Sequence, residues 1–175
     1  MTEKPSGSWS MADVSGKAVT RRVAIAAGTI RVGPEAFEAL ANARLPKGDA
    51  LAMAEIAGIL AAKQTPSLLP LCHPIALNRV LLRSALRPEE HAVEFFCLTE
   101  IAAQTGVEME ALTGLSVALL TVWDLAKPIN PALEITAQRL LFKSGGKRGN
   151  WTHPDGLPAE AEAMLAALDS AQPQG

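Results

Sequence analysis

Asp124 and Lys127 stand at the end of a long apolar stretch, and Glu108 and Glu110 stand at its beginning. If the stretch is one helix, Asp124 and Lys127 are i,i+3 neighbours. A carboxylate beside an ammonium group can divide acid and base work at neutral pH. Charges at two helix ends also read as solvated surface, and residue type alone leaves both readings open for this pair. Glu108 reads first as a cap, because Thr105-Gly106-Val107-Glu108 has capping-box spacing and Glu108 can reach back to the Thr105 amide. Glu110 and Asp124 lie 14 positions apart. They therefore differ by only about 40° in direction but by about 21 Å along the axis. They share a face, yet they cannot act together on one small molecule within one chain. An antiparallel copy of the helix from a second subunit would bring Glu110 of one chain towards Asp124 and Lys127 of the other. That predicts a composite site at an isologous interface.

Three further stretches carry chemical groups. In Leu69-Pro70-Leu71-Cys72-His73-Pro74, Leu69 and His73 both precede proline and are biased towards extended backbone. That is a rigid way to present an imidazole, although His73 alone reads first as a packed structural side chain. Zinc ligation is a weaker reading: the remaining ligand types are Cys72, distant Cys97, His91 in an expected turn and His153 in a tail. In Lys143-Ser144-Gly145-Gly146-Lys147-Arg148-Gly149, glycines free backbone N–H groups and basic side chains flank them, as an anion site requires. It is not a Walker A loop, since Arg148 stands where Ser or Thr should follow Gly-Lys. Lys47-Gly48-Asp49 and Thr20-Arg21-Arg22 add bases, although a linker with an N-cap and an exposed strand start explain them equally well.

Local patterns place these groups. Thr20 to Val32 begins a first strand, broken by Gly33-Pro34. Pro34 opens a helix that stops before Pro46. Asp49 caps a second helix, in which Leu51, Ile56, Ile59 and Leu60 form an apolar stripe. Asn78–Leu86 and Ala92–Ala102 read as a hairpin. The long apolar helix follows and ends at Pro128. A last strand covers about Leu133–Phe142, and a short Ala/Leu helix covers about Pro158–Leu168. The order βααββαβ is that of an α+β, ferredoxin-like fold, an antiparallel sheet with helices packed on one face. The long helix is apolar nearly all round, which argues for cover by a partner subunit. Residues 1–12 read as a flexible N-terminal tail, 13–151 as one domain and 152–175 as a C-terminal extension whose last residues, from 170, are loose.

Bulk composition excludes several classes. The chain has 175 residues, 49% hydrophobic, 4% aromatic and without tyrosine. So few rings argue against nucleic-acid binding by base stacking. The net charge of −2 gives no overall field for a polyanion, so an anionic substrate needs a local cluster of bases. Two cysteines outside any CxxC pair make no disulfide framework. The polar N-terminus has no signal-peptide core and the apolar run near Ala118–Trp123 is short, so a soluble cytoplasmic protein that binds no membrane is expected.

Taken together, the segments from Met11-Ala12-Asp13-Val14-Ser15-Gly16-Lys17 to Lys143-Ser144-Gly145-Gly146-Lys147 resemble the cyclic pyranopterin monophosphate synthase (MoaC) family of molybdenum cofactor biosynthesis. Between them, in order, stand Thr20-Arg21-Arg22, Lys47-Gly48-Asp49, the Leu69–Pro74 segment, Thr105-Gly106-Val107-Glu108-Met109-Glu110-Ala111-Leu112 and Trp123-Asp124-Leu125-Ala126-Lys127. The Leu71–Pro74 and Thr105–Leu112 motifs at this separation are highly specific. The resemblance implies a homohexamer, a trimer of dimers, with sites between subunits. It implies a pyrophosphate-releasing lyase that turns 3′,8-cyclo-7,8-dihydro-GTP, supplied by a radical SAM GTP cyclase, into cyclic pyranopterin monophosphate. No cofactor is required on this reading, and no protein metal site; Mg²⁺ would come only with the substrate phosphates. By motif, Asp124, Lys127, Lys47 and Lys147 would be catalytic. Leu71, Cys72, His73, Met109, Glu110 and Arg22 would bind substrate. The sequence departs from the family at Pro128-Ile129-Asn130-Pro131, where Ala and an Asp-Lys pair are usual, so the helix exit beside Lys127 is expected to be reshaped.

Overall fold

Both sides of Thr20–Arg31 are apolar or small over most of its length, which suits a strand covered on both faces. In the computed structural model, which describes residues 9–170, this segment is β1, at the centre of a five-stranded antiparallel sheet. Helices α1 (Pro34–Ala41), α2 (Ala50–Lys63) and the single turn α3 (Thr65–Leu68) follow it. The hairpin β2 (Arg79–Arg87) and β3 (Ala92–Ala103) comes next, then α4 (Glu108–Ala126), β4 (Glu134–Ser144), β5 (Trp151–Thr152) and α5 (Ala159–Ser170). The sheet order is β2-β3-β1-β4-β5. The expected βααββαβ order, ferredoxin-like layering and C-terminal helix, here α5, are present, with α3 and β5 added. The tail expectations for residues 1–8 and 171–175 lie outside the described residues.

Strand alternation divides the core in two. Ala24, Ala26 and Ile30 of β1, with Val93, Phe95 and Cys97 of β3, pack under Leu115, Ala118, Leu119 and Val122 of α4. Val23, Ile25, Phe96, Leu98 and Leu141 face the other way and are covered by Ala161, Met164 and Leu168 of α5. The C-terminal segment thus packs on the sheet. Arg87 also ties it there, donating to Glu94 of β3 at 2.7 Å and Glu160 of α5 at 2.6 Å.

Asp49 caps α2 as expected, accepting from the Leu51 and Ala52 amides at 3.0 and 3.1 Å. The apolar stripe on α2 is corrected. Leu51 and Ile59 are half-buried against the core, whereas Ile56 and Leu60 are 68% and 59% exposed. The reason is the crossing of α2 over α4, which runs backbone to backbone. A Cβ on Gly58 would sit 2.8 Å from the Gly114 carbonyl oxygen. Only small residues fit such a contact, so Ala50, Ala54, Gly58 and Ala61 turn inward and larger side chains turn out.

Among the described residues, α4 alone has the length and composition of a membrane span. It lies between the sheet and α2, with nine residues buried, and is a core helix. Its all-round apolar surface is therefore covered largely within the chain, although Leu120 remains 56% exposed.

Candidate active site

The C-terminal end of α4 carries the first cluster. Asp124 Oδ1 accepts from Lys127 Nζ at 2.7 Å, one turn along the helix. Its Oδ2 accepts from Lys47 Nζ at 2.8 Å. Lys47 stands in the α1–α2 loop, two residues before the Asp49 cap that fixes the start of α2. Hydrogen bonds and charge from Lys127, then Lys47, hold the Asp124 carboxyl down to about 2. All three side chains are about half exposed, so the ion pairs themselves add little stability. The trio keeps one net positive charge, open to an anion.

The lysine at the helix exit is held by its own backbone. Lys127 N–H still bonds the Trp123 carbonyl oxygen at 2.9 Å, and Pro128 follows where a helix has already stopped. Asn130 then donates to the Val32 carbonyl oxygen at 2.9 Å and accepts from the Ala132 amide at 3.0 Å.

The opposite end of α4 carries the remaining candidates. A cavity of about 590 Å³ is lined by five basic side chains, Lys17, Arg22, Lys143, Lys147 and Arg148, against one acidic group, Glu108. The Lys143–Lys147 loop reaches it through Gly145 and Gly146, both with positive φ. A side chain at Gly146 would overlap the Arg22 guanidinium. Among the described residues, the buried Arg22 Nε–H has no hydrogen-bond partner. A smaller cavity of about 240 Å³ adjoins through Gly106 and Glu108 and is lined by Leu71, Cys72, His73, Met109 and Glu110.

The capping-box reading of Glu108 is corrected. Helix α4 starts at Glu108, with no side-chain cap, and the carboxylate instead accepts from Lys143 Nζ at 2.8 Å. A lysine partner outcompetes a neutral backbone amide for a carboxylate. Burial pushes the Glu108 carboxyl up, but Lys143, the residue's own backbone amide and then Arg22 outweigh it and hold it below the usual value. Glu110, in the first turn of α4, is only 3% exposed. Burial, then the charge of Glu108, push its carboxyl up. Burial and Glu110 likewise raise the Cys72 thiol. Leu69 has the extended backbone expected before proline.

The sequence candidates thus fall into two half-sites. Asp124, Lys127 and Lys47 meet at one end of α4. Leu71, Cys72, His73, Met109 and Glu110 meet at the other, beside Arg22 and Lys147. About 21 Å of helix separates Glu110 from Asp124. Lys17 and Lys143 were not singled out as individual site residues. Strand register places Lys143, opposite Ala24 on β1, and no local signal could have done so. Among the described residues no three His, Cys, Asp or Glu side chains lie together as metal ligands.

The MoaC family model matches residues 11–146, a span that takes in every candidate residue except Lys147. A protein of Novosphingobium aromaticivorans named cyclic pyranopterin monophosphate synthase is 49% identical over 145 residues, covering 83% of this chain and 91% of the relative. Proteins with the same name from Dinoroseobacter shibae and Streptomyces coelicolor are 46% and 49% identical, covering 92% and 85% of their own lengths and 83% of this chain in each case.

Proposed function

The chain belongs to the MoaC family, and on that premise we propose that it is a cyclic pyranopterin monophosphate synthase acting in molybdenum cofactor biosynthesis. It converts 3′,8-cyclo-7,8-dihydro-GTP into cyclic pyranopterin monophosphate and pyrophosphate, as a lyase. The observation that carries the reading is the Lys47–Asp124–Lys127 trio, a carboxylate bridging two ammonium groups beyond reach of its own chain's His73 and Glu110.

The residues suit the reaction. Opening the purine five-membered ring and closing a pyrazine ring requires several proton transfers. Bridged by both lysines, Asp124 is a weak base; substrate anions that draw the ammonium groups away raise its affinity for a proton. The lysines then deliver protons. Closing the cyclic phosphate expels pyrophosphate, whose charge the Arg22, Lys143 and Lys147 cluster neutralises. Glu110 and His73 border the adjoining cavity, of a size for the base-derived ring. No cofactor is needed on this reading; a Mg²⁺ ion would arrive on the phosphates.

The two half-sites work together if a second subunit lays its α4 antiparallel to the first. We extend the proposal to a homohexamer, a trimer of dimers, located in the cytoplasm, fed by a radical SAM GTP cyclase. The test is incubation with enzymatically prepared cyclic dihydro-GTP, followed by pyrophosphate release and pterin fluorescence after oxidation. Turnover is expected in the wild type. Asp124→Asn is expected to lose it by at least about a hundredfold while substrate affinity and assembly persist. Unchanged turnover in Asp124→Asn rejects the catalytic role.

A further inference from the structure

Residues 9–18 form no helix or strand, yet they are clasped over the N-terminal half-site at two points. At the first, His73 Nε2 lies 2.8 Å from the Ala12 carbonyl oxygen. A carbonyl only accepts, so Nε2 carries the proton of that hydrogen bond. At the second, the Gln104 side-chain amide donates to the Lys17 carbonyl oxygen at 2.8 Å and to that of Ser15 at 3.3 Å. Between the clasps, Asp13 accepts from both the amide and the hydroxyl of Ser15, at 2.9 and 2.8 Å, and tightens the turn. Ala12 lines the smaller cavity and Lys17 the larger, so one strap borders both.

We propose that Gln104 is a positioning residue: by holding the Ser15 and Lys17 carbonyls it sets the Lys17 ammonium at the anion cavity and presses Ala12 against His73. The inference rests on the synthase reading for its kinetic consequence, but not for its structural one. Gln104 stands at the end of β3, directly before the Thr105-Gly106 turn that enters α4. The strap is therefore tied to the same turn that positions Glu108 and Glu110. Its placement is set by side-chain hydrogen bonds rather than by a strand ladder, so losing one amide frees it without unfolding the sheet.

The experiment uses the full chain carrying Gln104→Ala or Gln104→Glu, the latter setting carboxylate oxygens against carbonyls. The expected result is faster hydrogen exchange at residues 12–18, unchanged exchange in the sheet and α4, and KM raised roughly tenfold with kcat nearly kept. Inorganic pyrophosphate is expected to slow exchange at residues 12–18 in the wild type and to do so less in the variants. That second readout stands even if turnover is absent. Unaltered exchange of the strap, an unaltered KM in an active enzyme, or a loss of protection throughout the sheet overturns the proposal.

Discussion

Mixing two inactive variants tests the composite site most directly. Asp124→Asn damages the half-site at the C-terminal end of α4, and Glu110→Gln damages the half-site at its start. Both changes keep side-chain shape, and the helix sets the two positions about 21 Å apart. Loss of the Asp124 acid–base group costs about 10² or more in rate, and loss of a charged hydrogen-bonding group such as Glu110 at the substrate about 1.5–3 kcal/mol, so each pure variant is expected at a few per cent of wild type or below. In a mixed pair with antiparallel helices, one site collects both substitutions and the other collects none. Random reassortment of equal amounts makes about half of all pairs mixed, so about a quarter of the wild-type activity returns. The assay is pyrophosphate release by subunits carrying different affinity tags, reassorted in mild denaturant, with mixed assemblies verified by native mass spectrometry. If the site lies within one chain, every subunit still carries one lesion and activity stays at a few per cent or below. Verified mixed assemblies that remain at that level refute the two-subunit reasoning.

Three other outcomes follow from the same structure. The Asp124 carboxyl should titrate near pH 2 by carbon NMR, and Lys127→Ala or Lys47→Ala should each move it towards the ordinary 3.8. Because its folded value is lowered, the stability it contributes is complete above the ordinary value and is lost as pH falls through the folded one; an unmoved titration argues against the trio in solution. Glu110 has the opposite sign, since its folded value is raised: the folded state holds the proton more tightly, stability declines as pH rises through that window, and Glu110→Gln should melt higher than wild type at neutral pH, with the gain shrinking on acidification. Gly58→Ala should destabilise by about 1–3 kcal/mol in urea titrations, although Gly→Ala within a helix ordinarily stabilises by up to about 1 kcal/mol, because the new Cβ meets the Gly114 carbonyl oxygen at 2.8 Å.

Local chemistry made part of the fold legible beforehand. The Asp49 cap, the Gly33-Pro34 break and the β2–β3 hairpin each rest on neighbouring residues, and each lies where its pattern put it. The orientation of α2 did not, because hydropathy favours burying Ile56 and Leu60. A backbone-close crossing instead favours the small residues on the other side. Glu108 illustrates the same limit. Its capping-box spacing was real, but Lys143, 35 positions away, is a stronger partner that only the β1–β4 register brings near. The separation of Glu110 from Asp124 was readable from helix geometry alone. The meeting of Lys47 with Asp124 spans 77 positions and needed tertiary structure.

The residues after Lys127 show how the exit of α4 is held. A proline there removes an amide, yet the turn carries on past it, the Ile129 and Asn130 amides both donating to the Ala126 carbonyl oxygen at 2.9 and 3.2 Å. Helix α4 loses nothing by this, because it has already ended at Ala126 and Lys127 N–H keeps its bond to Trp123. Asn130 then ties the exit to its neighbours. Its amide bridges the end of β1 and the start of the next turn, at Val32 and Ala132. Gly33 makes room for it: a Cβ there would lie 2.8 Å from Asn130 Nδ2, and its φ of 78° suits glycine. The lysine that touches Asp124 is held by the helix itself, through the Lys127 N–H bond to the Trp123 carbonyl oxygen.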